Sequence, residues 1–236
     1  MPDDLRNAKY VIDIGPIPSL PVEGSGERFP VGRIYCVGRN YAEHAREMGH
    51  DPNREPPFFF MKAANSIVQN GSEISYPVGT KDVHHEIEMV VALAKGGRNI
   101  PVEKALDHVW GYGVGLDMTR RDIQGEAKKM GRPWEMGKSF DESAPVTALK
   151  PASKIGHPAK GAIWLKVNGQ VKQQGDVSQQ IWSVPEQIAY LSNLITLQPG
   201  DLIFSGTPAG VGPVVAGDTL EGHVDGVGDL KIKYKK

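Results

Sequence analysis

The run Ile87-Glu88-Met89-Val90-Val91-Ala92-Leu93 is apolar at every position but one. That pattern predicts a strand buried on both faces rather than one with a wet side. Ile34-Tyr35-Cys36-Val37, Gly111-Tyr112-Gly113-Val114-Gly115-Leu116, Ile163-Trp164-Leu165-Lys166-Val167 and Leu202-Ile203-Phe204-Ser205 are further β-type runs. Leu230-Lys231-Ile232-Lys233-Tyr234 alternates strictly, as a half-buried strand does. Helical patterns are fewer and cover residues 41–48, 102–109, 120–130 and 185–197. The last opens on Pro185 and carries Ile188, Leu191, Leu194 and Ile195 at helical spacing. Gly and Pro punctuate the whole chain. Strands outnumber helices and do not alternate with them regularly, which argues against a doubly wound sheet. The predicted fold class is mixed α/β and β-dominated. A small Pro- and Gly-rich cap over residues 1–30 precedes a single domain over residues 31–236.

With 236 residues and a net charge of −1, the chain has no basic patch of the kind that marks a nucleic-acid partner. No apolar run is long enough to cross a bilayer, and the acidic start Met1-Pro2-Asp3-Asp4 lacks a signal-peptide pattern. The single cysteine, Cys36, excludes an internal disulfide and fits a reducing compartment, so a cytoplasmic protein is expected. Cys36 lies mid-strand among Ile34, Tyr35 and Val37, as a core residue rather than a nucleophile.

Chemistry concentrates in a few places. Glu86 and Glu88 are two apart at the mouth of the buried strand, and i and i+2 share one strand face. Two adjacent carboxylates on an apolar strand are costly unless a divalent cation neutralises them, and oxygen ligands suit a hard ion such as Mg²⁺ or Mn²⁺. Asp117, ending the run 111–116, offers a third oxygen. The alternative is three exposed strand-end acids. His84 and His85 precede the pair; alternation puts His84, and not His85, on the face of Glu86 as a candidate ligand, though supporting roles are expected for both. His44 and Glu47, three apart on a helix, form either a routine surface pair or an imidazole oriented by a carboxylate to take a proton from water. Arg121 and Gln124 open the helix after Asp117, where an anionic substrate group or plain solvent is the partner. Lys138 stands among apolar and small residues, so a carboxylate or oxyanion is expected beside it. The Gly-rich loop 204–213 lacks phosphate-binding spacing; it either brings backbone amides and the Thr207 hydroxyl to a site or simply turns.

Taken together and in order, these blocks resemble the fumarylacetoacetate hydrolase family, in its short single-domain acylpyruvase branch. The resemblance rests on Tyr35-Cys36-Val37-Gly38-Arg39-Asn40-Tyr41 with His44 and Glu47, Phe59-Phe60-Met61-Lys62, and His85-Glu86-Ile87-Glu88. It continues through residues 117–124, Lys138-Ser139-Phe140-Asp141 and residues 205–212. It implies a rolled, barrel-like mixed sheet with a few short helices, a homodimer, and one Mg²⁺ or Mn²⁺ held by Glu86, Glu88 and Asp117. It further implies a catalytic Lys138, a water-activating His44–Glu47 dyad on a lid, substrate contacts from Arg121, Gln124 and Thr207, and Lys62 close to the metal. Gly137 and Ala63 depart from the family pattern, where Ala and Pro are expected. Residues 20–22, 54–60 and 110–113 look closest to the bacterial fumarylpyruvate hydrolases of gentisate-type aromatic breakdown. The implied activity is hydrolysis of the C–C bond of an acylpyruvate, fumarylpyruvate giving fumarate and pyruvate. Oxaloacetate decarboxylation and keto-acid isomerisation or hydration are the alternatives within the family.

Overall fold

A computed structural model describes residues 10–13, 15–47 and 55–236. The buried run becomes the strand Ile87–Leu93, buried at all seven positions. It lies inside a mixed sheet in the order Phe59–Lys62, Ile34–Val37, Leu202–Phe204, Ile87–Leu93, Val109–Leu116, Ala144–Val146, Ile67–Gln69, with Lys150–Pro151 also pairing to Val109–Leu116. Leu202–Phe204 runs parallel to Ile34–Val37, and Ala144–Val146 parallel to Ile67–Gln69; the other pairings are antiparallel. The sheet curls as a half-barrel. A second sheet, ordered Gln170–Asp176, Ala162–Val167, Thr219–Val224, Gly228–Tyr234, Glu73–Ile74, packs against it.

Alternation decides which core each side chain enters. Ile87, Met89, Val91 and Leu93 join Tyr112, Val114, Leu116, Ile163, Leu165, Leu220 and Ile232 between the two sheets. Val90 and Ala92 point the other way, into a smaller core with Ile34, Cys36, Phe60, Leu202 and Phe204. Leu20 and Phe29, from the hairpin of Ser19–Pro21 and Arg28–Pro30, are buried in that same smaller core. The glycines of the run 111–116 explain how it closes. A Cβ on Gly115 would lie 2.7 Å from Val90 Cγ2 and 2.8 Å from the Phe204 ring, so only glycine admits those neighbours. Glu88 has the parity of Val90 and Ala92, so the apolar strand delivers one carboxylate to the end of the smaller core.

The helical expectations are met in place, with shifted ends. Residues 120–130 give the helix Arg121–Lys129, and residues 185–197 give Val184–Leu194, which stops because Ile195 turns extended. Residues 102–109 form a tighter 3₁₀ stretch, Val102–His108, in which only Ala105 is buried. A single buried side chain does not supply the apolar stripe that holds a regular α-helix. The helix beginning after Tyr41 spans Ala42–Glu47, and Met48 lies outside the described residues. Among the described residues no helix is long and apolar enough to cross a membrane.

Candidate active site

Glu86 sits in the break between Val83–His85 and Ile87–Leu93, where the chain changes from a three-stranded sheet to the large one. Asp117 follows the last residue of the neighbouring strand and donates its amide to the Glu86 carbonyl at 2.9 Å. The break and the strand end therefore face each other. Ligand oxygens of Glu86, Glu88 and Asp117 lie within 4.8 Å of one another, and all three residues are buried.

Cations answer this concentration of acid. Lys138, 2% exposed, donates to Glu86 Oε2 at 2.8 Å, Asp117 Oδ2 at 2.7 Å and Thr119 Oγ1 at 2.7 Å. Arg121 donates from Nη2 to Glu86 Oε1 at 2.5 Å and from Nη1 to Gln124 Oε1 at 2.7 Å. Lys62 gives its protons to the carbonyls of Met118 and Lys138. Its Nζ is 2.9 Å from Asp117 Oδ1, which has a charged neighbour there and no directed hydrogen bond. Burial alone would raise the Glu86 pKa, but Lys138, Arg121 and His44 outweigh it and hold the carboxyl far below the usual range. Glu88 goes the opposite way. Burial, then Asp117 and Glu86, push it well above the usual range, opposed by the Gly206 amide and Lys138. For Lys138 the Asp117 and Glu86 carboxylates overcome burial, and its pKa is raised. Three buried oxygen donors of which one resists ionisation, and one buried oxygen without a directed bond, are a fitting set for a hard divalent cation.

The loop after Leu202–Phe204 reaches the triad through its backbone. Gly206 donates its amide to Glu88 Oε2 at 2.6 Å with φ +105, and a Cβ there would lie 2.5 Å from Asn40 Cβ. Asn40, 1% exposed, donates to the Ser205 carbonyl at 2.7 Å and exchanges bonds with Trp182, fastening this loop to the turn that leads into Ala42–Glu47. On that helix His44 Nδ1 is 3.3 Å from Glu47 Oε2, and the Gly210 amide donates to the same carboxylate at 3.1 Å. Burial lowers the His44 pKa, with Glu86 and Glu47 opposing. His44, Glu86, Glu88, Arg121, Gln124, Lys138 and Thr207 line one cavity. Lys62 lies beneath it.

The two histidines before the triad are bonded to residues outside it. Gln173 Oε1 accepts from His85 Nδ1 at 2.8 Å, and His84 Nε2 is 2.9 Å from Asp82 Oδ1. Because Glu86 stands in a break, strand alternation does not carry from His84 across to it.

Residues that the sequence pattern did not single out complete the site. Gln173 is fully buried within a polar strand whose other residues are exposed or half-buried, and it bonds to His85, the Ile87 amide, Thr207 Oγ1 and the Pro208 carbonyl. Its neighbours Lys172 and Gln174 give no signal of this; the register shift between Leu165 and Lys166 in the partner strand is visible only in three dimensions. Gly137 allows Glu135–Lys138 to press on the Arg121–Lys129 helix, since a Cβ would sit 2.9 Å from the Gln124 amide nitrogen. Arg39, Lys128, Phe58, Phe60 and Trp134 stand in the same cavity wall, with Val37 and Gly38.

A family model described as fumarylacetoacetate (FAA) hydrolase, C-terminal, matches residues 33–233. The crystal structure of fumarylpyruvate hydrolase from Pseudomonas aeruginosa in complex with Mn²⁺ and pyruvate is 53% identical. The match covers 96% of this chain and 99% of that one, with a TM-score of 0.94. Human mitochondrial oxaloacetate tautomerase FAHD1 is 46% identical over 203 residues, 86% of this chain and 91% of that protein. Mitochondrial oxaloacetate decarboxylase of Dictyostelium discoideum is 40% identical over 195 residues, 83% and 89% of the two chains. With its half-barrel sheet, its buried acidic triad and these matches along most of its length, the chain belongs to the fumarylacetoacetate hydrolase family.

Proposed function

We propose that this protein hydrolyses the C–C bond of an acylpyruvate, with fumarylpyruvate as substrate and fumarate and pyruvate as products. The observation that carries the reading is that His44, with Glu47 on its Nδ1, lines the same cavity as Glu86 and Glu88, the two carboxylates grouped with Asp117. A likeness of 53% identity to a fumarylpyruvate hydrolase solved with Mn²⁺ and pyruvate supports it.

In this reading Glu86, Glu88 and Asp117 hold one Mg²⁺ or Mn²⁺. Such an ion supplies Lewis-acid polarisation of the keto-acid oxygens. The remaining steps belong to the chain's own groups. With Glu47 on Nδ1, His44 keeps Nε2 as the nitrogen that takes a proton from water, and its lowered pKa keeps the ring neutral for the task. The hydroxyl adds to C4, the C3–C4 bond breaks, and the electron pair goes to pyruvate as its enolate, which takes a proton at C3. Lys138 places its positive charge where that oxyanion develops. Arg121, whose buried Nε has no partner, receives the pyruvyl carboxylate with Gln124 and Thr207. Lys62 holds Asp117 from below. Ordering of the Ala42–Glu47 helix over bound substrate excludes bulk water.

A second reading is favoured by the relatives named for oxaloacetate. Decarboxylation of oxaloacetate loses CO2 to leave an enolate and needs no attacking water, so Lys138 is required and the His44–Glu47 pair is not; tautomerisation moves a proton at C3 and needs a base but no water. Turnover of fumarylpyruvate, acetylpyruvate and oxaloacetate, with Mg²⁺ or Mn²⁺ and with chelator, separates the two. Metal-dependent release of fumarate and pyruvate well above the other rates supports the hydrolase. Faster decarboxylation with little C–C hydrolysis moves the enzyme to the second class. We further place the protein in the gentisate route of the cytoplasm as a homodimer, following the family resemblance; sedimentation of the purified protein checks the assembly.

A further inference from the structure

Three cations beside the triad are already engaged. Lys138 is held by Glu86, Asp117 and Thr119, Lys62 by Asp117 and two carbonyls, and Arg121 by Glu86 and Gln124. Two more cations stand in the same cavity wall, Lys128 and Arg39. Among the described residues neither has a carboxylate or hydrogen-bond partner. Each lies over an aromatic ring instead. Lys128 Nζ is 4.8 Å from the centre of the Trp134 ring and Arg39 Cζ 4.8 Å from that of Phe58. The two rings meet edge to face at 5.3 Å, so both cations share one aromatic wall.

The backbone is shaped to present them. A Cβ on Gly38 would lie 2.0 Å from Phe58 Cζ, so glycine is needed there for the ring to lie against the chain. Arg39 follows with φ +54, a left-handed conformation that is strained for a residue with a Cβ. On the other wall, Arg121, Gln124 and Lys128 fall on one face of the helix Arg121–Lys129. Seven residues at the usual helical rise put Lys128 about 10 Å along the axis from Arg121, away from the triad. Burial first, then the positive charges of Arg121, Lys138 and Arg39 against the opposing Glu86 carboxylate, lower the Lys128 pKa.

Arg39 and Lys128 line the same cavity as Glu86 and Glu88, so an acylpyruvate held by its keto-acid end at the triad would have this wall available to its acyl group, which in fumarylpyruvate ends in a carboxylate. We propose that Lys128 and Arg39 form the subsite for the distal carboxylate and so select acyl groups ending in carboxylate over those ending in methyl. The inference rests on the acylpyruvate reading above and adds which residues read the acyl end.

The test compares kcat/KM for fumarylpyruvate and acetylpyruvate in the metal-loaded enzyme and in Lys128→Met, Arg39→Met and Lys128→Arg. The fumarylpyruvate-to-acetylpyruvate ratio should fall on the order of tenfold to a hundredfold in each Met variant, as expected for losing a charged hydrogen-bond partner. The loss should appear mainly in KM and be restored in large part by Lys128→Arg. A parallel fall on both substrates with an unchanged ratio overturns the subsite and leaves the hydrolase standing. Failure of the wild-type enzyme to cleave either diketo acid sinks both readings. Product inhibition of the wild type needs no variant. Fumarate should inhibit more strongly than crotonate, which has a methyl in place of the second carboxylate, and equal inhibition by the two counts against the subsite.

Discussion

Lys138 Nζ stands 2.7 Å from Asp117 Oδ2 and 2.8 Å from Glu86 Oε2, so one ammonium links the strand end to the strand break. All three side chains are buried. Removing one partner of such a group leaves charges uncompensated, at about 3–5 kcal/mol. Lys138→Met should therefore lower the unfolding free energy by that amount in chelator and abolish turnover. Saturating Mg²⁺ or Mn²⁺ should return part of the stability, because the ion re-pairs the same oxygens, at RT ln(1 + [L]/Kd). Denaturant unfolding with and without metal reads both effects. A variant as stable as wild type in chelator would show that the lysine does not balance the acids.

The His44–Glu47 pair predicts the acid limb of activity. Burial holds the His44 pKa below the ordinary histidine value of about 6.5, so its protonation is centred on the acid side of that pH. The midpoint of the acid limb in kcat/KM for hydrolysis should lie below about pH 6.5. Glu47 raises the His44 pKa, so Glu47→Gln should move the limb to still lower pH while lowering the plateau. His44→Ala should cut hydrolysis by about 10²–10⁴-fold while metal binding remains. An acid limb above neutrality, or a plateau untouched in His44→Ala, removes the proposed base.

Gln173 is expected to matter more than its setting suggests. Its oxygen accepts from His85 and the Ile87 amide, and its nitrogen donates to Thr207 Oγ1 and the Pro208 carbonyl, so all four bonds are filled. Gln173→Leu strands buried polar groups that cost about 1–3 kcal/mol each. The variant should lose at least about 3 kcal/mol in denaturant unfolding, and its KM should rise as Thr207 loses its anchor. Loss of stability without any change in KM would confine Gln173 to a structural role.

The contrast between Glu88 and Gln173 shows what the sequence reveals. Glu88 interrupts an apolar run, so its burial and the need for a neutralising partner are written in the pattern, and Asp117 and Lys138 are exposed as oddities in the same way. Local periodicity also places Ile34–Val37, Leu202–Phe204 and Gly228–Tyr234 to within a residue or two. Gln173, Asn40 and Lys128 sit in ordinary polar surroundings. The roles of Gln173 and Asn40 come from contacts with residues distant in the chain, such as Asn40 with Trp182 and Ser205. The strands of two or three residues, Glu73–Ile74 and Gly212–Val214 among them, are too short to carry a period and exist because longer neighbours pair with them.

Gly125 offers a prediction on the site-bearing helix that leaves the chemistry alone. It lies inside Arg121–Lys129, is absent from the positive-φ positions, and a Cβ built on it meets nothing within 4 Å. Glycine in a helix interior costs about 0.5–1 kcal/mol relative to alanine, because the unfolded chain has more freedom to lose. Gly137 faces the same helix yet has the Gln124 backbone within 3.0 Å of its would-be Cβ. Gly125→Ala should therefore raise stability by about 0.5–1 kcal/mol with kcat/KM unchanged. Gly137→Ala should force Gln124 and the helix outward by a few tenths of an ångström, as such contacts require, and lower kcat/KM. Thermal unfolding and turnover of the two variants side by side check the contrast. Equal effects from both alanines would mean that the helix does not take its position from the contact at Gly137.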